Sequence, residues 1–412
     1  MSSTTTAALF KPVRVGDLEL GHRVVLAPLT RFRATDDHIP LPHVLDYYTQ
    51  RGSVPGTLLV TEATYIAPQA GGYPNVPGIW NDEQIAAWKK ITDSVHARGS
   101  YIYLQLWALG RAAIPNQLKK EGDLPFVSAS AVPLRDRPKT DPLPRPLTIE
   151  EIQQYIGFYA QAAENAVLKA GFDGVEIHGA NGYLIDQFLQ DVSNTRTDAY
   201  GGGVEGRTRF ALEVVDAVVK RVGPRKVGLR LSPWGTVQDM GMADPKPTYS
   251  HLITQLVHSH PTLAYVHLVE PRSDAPRTGP PAVADEFLTG GPKNDFIRNI
   301  WNSPDSAAGA GRRLISAGGY TRESGIDVAE RKGDLIAYGR PFISNPDIPY
   351  RLQHGLPLTV GDRKMYYQYG SYDPTGYSDY PFSEEFVKEY GIEVQRADEK
   401  TGAEDSSVQT RL

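Results

Sequence analysis

Eight short apolar runs recur along the chain, separated by helix-patterned segments or long crossovers. They cover 24–29, 57–65, 101–107, the stretch around Val175 and Ile177, 226–231, 264–269, 313–317 and 334–338. Near-continuous hydrophobicity rich in Val, Ile and Leu marks strands covered on both faces, as in parallel sheets. Helices are expected at 42–52, from the Asn81 cap to Gly99, 149–171, 209–221, 249–259 and 321–332. Two have legible starts: Asn81 with Gln84 and Thr148 with Glu151 stand at capping-box spacing. Eight apolar strands alternating with seven helices or long crossovers predict an α/β fold of the (β/α)₈ barrel type. A doubly wound sheet would break this rhythm near its middle. An N-terminal β-hairpin is expected at 13–20, turning at Gly16-Asp17, and long strand-end insertions at 110–146 and 271–292. Residues 1–395 read as one domain, and the polar stretch 396–412 as a disordered tail.

The 412 residues contain no cysteine, which removes disulfides, thiolate metal sites and cysteine nucleophiles together. A net charge of −5 with no basic block argues against nucleic acid or an anionic membrane surface as partner. No run of about 18 apolar residues is present, and residues 1–9 lack the pattern of a secretory signal. The expected setting is cytoplasmic, with a peroxisomal address at Thr410-Arg411-Leu412 a poor fit to the pattern.

In a barrel, chemistry sits at the C-terminal ends of the strands. Those ends carry Pro28-Leu29-Thr30, Glu62-Ala63, Gln105-Leu106-Trp107, His178 with Asn181 and Tyr183, Arg230, Gly318-Gly319 and Gly339-Arg340. His178 and Asn181 supply two donors for one oxygen, and Tyr183 a phenol able to give up a proton. Glycines closing the last two strands let backbone N–H groups approach a phosphate, Arg340 can add paired hydrogen bonds, and Asn345-Pro346-Asp347 reads as the start of a short extra helix. The run Gly201-Gly202-Gly203-Val204-Glu205-Gly206 satisfies G-x-G-x-x-G but follows no strand, so it reads as a flexible loop before a helix. No histidine pair has metal-ligand spacing at a strand end, so no metal is expected. His267 reads as a packed residue of the barrel interior, and Lys226 begins its strand, the wrong end for a Schiff-base lysine.

The stretches His178-Gly179-Ala180-Asn181-Gly182-Tyr183, Ser193-Asn194-Thr195-Arg196-Thr197-Asp198, Pro68-Gln69-Ala70-Gly71-Gly72-Tyr73 and Gly339-Arg340-Pro341-Phe342-Ile343-Ser344-Asn345-Pro346-Asp347 resemble the Old Yellow Enzyme family over most of the chain. The resemblance implies an FMN-containing barrel that takes hydride from NADPH or NADH and reduces the C=C bond of unsaturated aldehydes and ketones. It implies that Thr30, Ala63, Gln105 and Arg230 meet the flavin's polar edge and that Pro28 and Leu29 pack on its ring. Gly318, Gly319, Gly339 and Arg340 would hold the phosphate, and Tyr366 would stand beside the cofactor. His178, Asn181, Trp107 and Tyr367 would contact substrate, with Tyr183 as proton donor. A cation at Arg230 would stabilise an anionic reduced flavin on physical grounds alone. The family's usual Gly-Gly-Ser-x-Glu-Asn-Arg is here Gly201-Gly202-Gly203-Val204-Glu205-Gly206-Arg207, and Ala63 replaces a usual glycine, as in fungal relatives acting on an ergot-alkaloid aldehyde. The alternatives are a flavin-dependent isomerase and a non-catalytic flavin- or ligand-binding barrel; the protein is expected as a monomer or homodimer.

Overall fold

The computed structural model describes residues 6–271, 293–302 and 312–391. Eight parallel strands close into a barrel: β1 (Val24–Leu26), β2 (Leu58–Tyr65), β3 (Tyr101–Trp107), β4 (Gly174–Gly179), β5 (Val227–Leu231), β6 (Tyr265–Val269), β7 (Arg313–Ala317) and β8 (Leu335–Tyr338). Each pairs with its neighbours in sequence, and β8 returns to β1 through Ile336↔Val24 and Tyr338↔Leu26. Strand order therefore follows chain order, as expected of right-handed β-α-β crossovers. The first strand stops at Leu26, earlier than the apolar run suggests, and Ala27 to Thr30 follow it as irregular backbone. Within β2 the register shifts between Val60 and Ala63, a bulge that re-aims the strand end.

The helices form where polar caps meet apolar stripes. Asn81 accepts the Gln84 N–H at 2.9 Å and opens Asp82–His96; Thr148 accepts the Glu151 N–H at 3.2 Å and opens Ile149–Glu164. Such caps contribute about 1 kcal/mol each. The segment after Glu164 continues as a π-helical turn, Asn165–Lys169, so the helix expected to run to 171 changes hydrogen-bond pattern near its end. The extra helix after the last strand is present as Ile348–His354, preceded by a five-residue turn of helix, Arg340–Ser344.

At the opposite end of the barrel the expected hairpin pairs Val13–Val15 with Leu18–Leu20. Val13, Val15 and Leu20 are buried against Val25, Leu58, Val60, Tyr103, Tyr265, Ile315 and Leu335 from the barrel interior. The hairpin is a plug for the barrel floor. Full burial of a residue such as Leu20 contributes roughly 1.5–3 kcal/mol. The insertion at 271–292, apart from residue 271, and the tail at 396–412 lie outside the described residues.

The glycine-rich run corrects one expectation. A flexible loop was expected through Gly206, yet the helix starts at Val204 and runs to Val222, with Gly203 at its N-cap. Gly206 lies inside the first turn, and a Cβ there would fall within the van der Waals envelope of the Gly201 carbonyl oxygen. The helix can start this tightly against the preceding turn because that position has no side chain. Gly206→Ala is expected to destabilise the protein by about 1–3 kcal/mol through overpacking, against the gain in helix propensity; a urea midpoint at or above that of the unsubstituted protein would refute the steric account.

Candidate active site

The strand register gathers the predicted site residues at one mouth. Ala63 is opposite Gln105 and Tyr65 opposite Trp107 across β2 and β3, while His178 is opposite Arg230 across β4 and β5. The strands β7 and β8 pair through Ala317↔Ala337, which sets Gly318-Gly319 beside Gly339-Arg340. The Ala27 N–H donates to the Tyr338 carbonyl at 3.0 Å, bringing Pro28-Leu29-Thr30 to the same corner, where Leu29 lies next to Gly339. Tyr366 is buried against Arg31 and in the field of Arg340, whereas Tyr367 is 47% exposed and reaches the mouth through an edge contact with Phe32.

His178 has its Nδ1 accepting the Ala180 N–H at 3.4 Å, which places the ring proton of the neutral form on Nε2. Burial, reinforced by Arg230 and His267, holds its pKa well below the usual histidine value, so the ring is a neutral donor. The ring lies parallel to Trp107 at 6.3 Å, and Tyr183 stands edge-on to both, at 5.1 Å from His178 and 4.7 Å from Trp107. Burial pushes the Tyr183 phenol well above its ordinary value, with a lesser opposing effect from Gln238 and Arg230. It is therefore protonated at neutral pH.

Asn181 adopts φ +58°, a left-handed conformation uncommon outside glycine. Its N–H donates to Ser232 Oγ at 2.7 Å and its carbonyl accepts from Gln238 Nε2 at 2.9 Å. Beneath it the buried Asp186 accepts from the Gly182 N–H and the Tyr249 hydroxyl, both at 2.9 Å. Burial raises the Asp186 pKa to about 6. The turn is over-determined by these bonds, which is how a strained conformation persists at a functional site.

The sequence reading missed several contributors. Tyr65 stacks on Trp107 at 5.4 Å, Tyr73 meets it at 5.9 Å, and Phe32, itself at φ +59°, packs on Tyr369 at 4.2 Å. These aromatics come from the end of β2 and from loops far apart in sequence; the one available signal was the density of tyrosines in residues 366–372. Three buried arginines lay the segment that carries Tyr366 to Tyr377 over the mouth. Arg31 donates to the carbonyls of Tyr366 (2.9 Å) and Gly376 (2.7 Å), Arg33 to Asp373 (2.9 Å) and Arg51 to Tyr377 (3.2 Å). Glu62, on the bulge of β2, accepts the Arg31 N–H at 3.2 Å and so fixes the backbone next to Thr30.

Arg230 is only partly covered, yet its buried Nε makes no hydrogen bond among the described residues. With the Gln105 amide and the glycine-lined corner at β7 and β8, this donor set suits a planar ring bearing carbonyls and an anionic tail. A profile of the NADH:flavin oxidoreductase / NADH oxidase family matches residues 8–359. The chain belongs to the Old Yellow Enzyme family. It is 53% identical to a chanoclavine-I aldehyde reductase of Penicillium roqueforti over 92% of this chain and 98% of the relative. It is 51% identical to an NADP-dependent oxidoreductase of Aspergillus flavus over 92% and 97% of the two chains. The crystal structure of Old Yellow Enzyme from Pichia sp. AKU4542 superposes with a TM-score of 0.80 at 40% identity, covering 92% of this chain and 94% of that one. This Old Yellow Enzyme relative is thus an NAD(P)H-dependent flavin oxidoreductase, with FMN as cofactor and a nicotinamide nucleotide as reductant. No helix among its described residues is long and apolar enough to cross a membrane.

Burial, opposed by hydrogen bonds from the backbone at Arg31 and Phe32 and by the charges of Arg31 and Arg33, raises the Glu62 pKa from 4.5 to about 7. The folded chain then binds a proton that the unfolded chain has released, so this group makes stability fall as pH rises from about 4.5 to about 7. Glu62→Gln is expected to flatten that part of the profile in denaturant titrations at several pH values. An unchanged slope would refute the assignment.

Proposed function

We propose that the protein is an ene-reductase that saturates the C=C bond of an α,β-unsaturated aldehyde or ketone. The observation that carries this reading is the convergence of a neutral His178 and a protonated Tyr183 on one aromatic-walled mouth. FMN held at this mouth and reduced by the nicotinamide would supply the hydride for the substrate's β-carbon. The residues of the chain do the rest. His178, through Nε2–H, and the Asn181 amide hold the carbonyl oxygen and stabilise the negative charge that grows there. Their neutrality is useful: donors that carry no charge do not titrate near pH 7 and keep the same strength across the working range.

Tyr183 gives its proton to the α-carbon, and its high pKa keeps that proton in place until carbanion character develops. The aromatic wall, with Tyr65 stacked on Trp107 and Tyr73 edge-on to it, excludes water from the developing charge and favours a flat, conjugated substrate. Thr30, Ala63, Gln105 and Arg230 would meet the flavin's polar edge; Pro28 and Leu29 would pack on its ring; and Gly318, Gly319, Gly339 and Arg340 would hold its phosphate. Similarity to a chanoclavine-I aldehyde reductase favours an aldehyde as substrate.

The direct test loads the protein with FMN and follows NADPH oxidation with a panel of enals, enones and nitroalkenes; no turnover of any activated alkene would sink the reading. Tyr183→Phe is expected to lower alkene reduction by about 10²–10⁴-fold while leaving reduction of FMN by NADPH close to that of the unsubstituted protein. If the hydride returns when protonation fails, the variant releases isomerised substrate. Undiminished reduction by the variant would remove Tyr183 from the role. His178→Ala is expected to lower kcat by about 10²–10³-fold, and a change confined to KM would contradict a part in stabilising the transition state.

A further inference from the structure

Below the mouth, inside the barrel, Glu176 is fully buried on β4 and its two oxygens are engaged separately. Oε1 accepts from Gln105 Nε2 at 2.7 Å, and Oε2 accepts from His267 Nδ1 at 2.8 Å. Arg230 faces the same carboxylate by charge, and the Tyr265 phenol packs close to it. Neither Arg230 Nε nor His267 Nε2 makes a hydrogen bond among the described residues. The register explains the cluster: Gln105 is opposite Glu176, and Arg230 is opposite His267. Gln105, Arg230 and His267, on three different strands of the barrel, thus share the one carboxylate that Glu176 contributes from a fourth. An isolated buried carboxylate is costly and is retained only when paired and hydrogen-bonded.

We propose that Glu176, held in place by His267, is a positioning residue of the FMN site, which sets the orientation of the Gln105 amide and offsets the charge of Arg230. An ionised carboxylate accepts and cannot donate, so it must face the NH₂ end of the amide. The oxygen of Gln105 is thereby turned away from Glu176, as an acceptor for an imide-type N–H of the kind a flavin carries. Burial alone would favour protonated Glu176; His267, Arg230 and Gln105 outweigh it and keep the carboxylate ionised. Burial keeps His267 mainly neutral, which leaves its Nδ1 proton for the bond to Glu176. The positive charge of Arg230 is thus balanced in part from beneath, and the field at the pyrimidine edge of the cofactor is the difference between the two. This inference rests on the FMN reading of the site.

The test measures FMN affinity by flavin fluorescence and the FMN midpoint potential in the unsubstituted protein, Glu176→Gln, Gln105→Leu and the double variant. Glu176→Gln permits either amide orientation and removes the balancing charge. It is expected to weaken FMN binding roughly tenfold and to move the potential in the positive direction, because an uncompensated Arg230 favours the anionic reduced flavin. In the Gln105→Leu background the affinity loss should vanish, since there is no amide left to orient, while the shift in potential should remain. His267→Leu keeps the carboxylate and strips one of its donors, so it should move the potential the other way, and it carries the test if Glu176→Gln does not fold. Folded variants with the affinity and potential of the unsubstituted protein would overturn this inference alone, as would affinity losses that simply add in the double variant. Failure of the unsubstituted protein to take up FMN would overturn the FMN reading and this inference with it.

Discussion

Everything at the mouth depends on the register in which eight parallel strands close. Side chains alternate faces with a period of two, so slipping any strand by one residue would move its polar terminus from the lumen to the helix layer. His178 is level with Arg230, and Gln105 with Glu176, because β3, β4 and β5 are locked in this register. The bulge in β2 is the one deliberate departure, and it places Glu62 under the backbone of Arg31. The hairpin plug contributes at the far end by filling the floor with Val13, Val15 and Leu20 instead of water. A closed barrel with a packed floor leaves one end free for chemistry.

The fold was legible because its signals are local. Strands three and seven have the bounds their apolar runs suggest, and both capping boxes form as spacing predicts. Strand-end polarity located the mouth for the same reason, since a polar residue closing an apolar run needs no knowledge of distant parts of the chain. The misses are long-range. Gln238 and Tyr369 reach the site through tertiary packing, and Glu176 sits in a strand whose flanking residues are apolar, so its identity as a buried hub depends on partners 71 and 91 residues away. The early start of the helix at Val204 was hidden because glycine is a poor helix former, and the steric contact that requires it is visible only in three dimensions.

Electrostatically the site is built from neutral donors over compensated charges. His178 and Tyr183 are kept uncharged by burial, and the charged groups, Arg230 with Glu176 and the arginines Arg31 and Arg33 beside the proton-retaining Glu62, occupy the layer behind them. Preorganised dipoles need not reorient when charge develops on a substrate, which is the advantage of paying the desolvation cost during folding. The left-handed turn at Asn181 belongs to the same design, its strain balanced by Ser232 and Gln238.

The three arginines that hold the segment near Tyr366 and Tyr377 have a temporal consequence. They lie between residues 31 and 51, while the carbonyls they grip lie beyond residue 342. On the ribosome the first strands and their arginines emerge long before their partners, and the aromatic cover arrives only after the eighth strand has been made. The barrel can close around an open mouth first and acquire its cover afterwards. The backbone contacts that seat Tyr366 to Tyr377 are therefore among the last long-range contacts the growing chain can make.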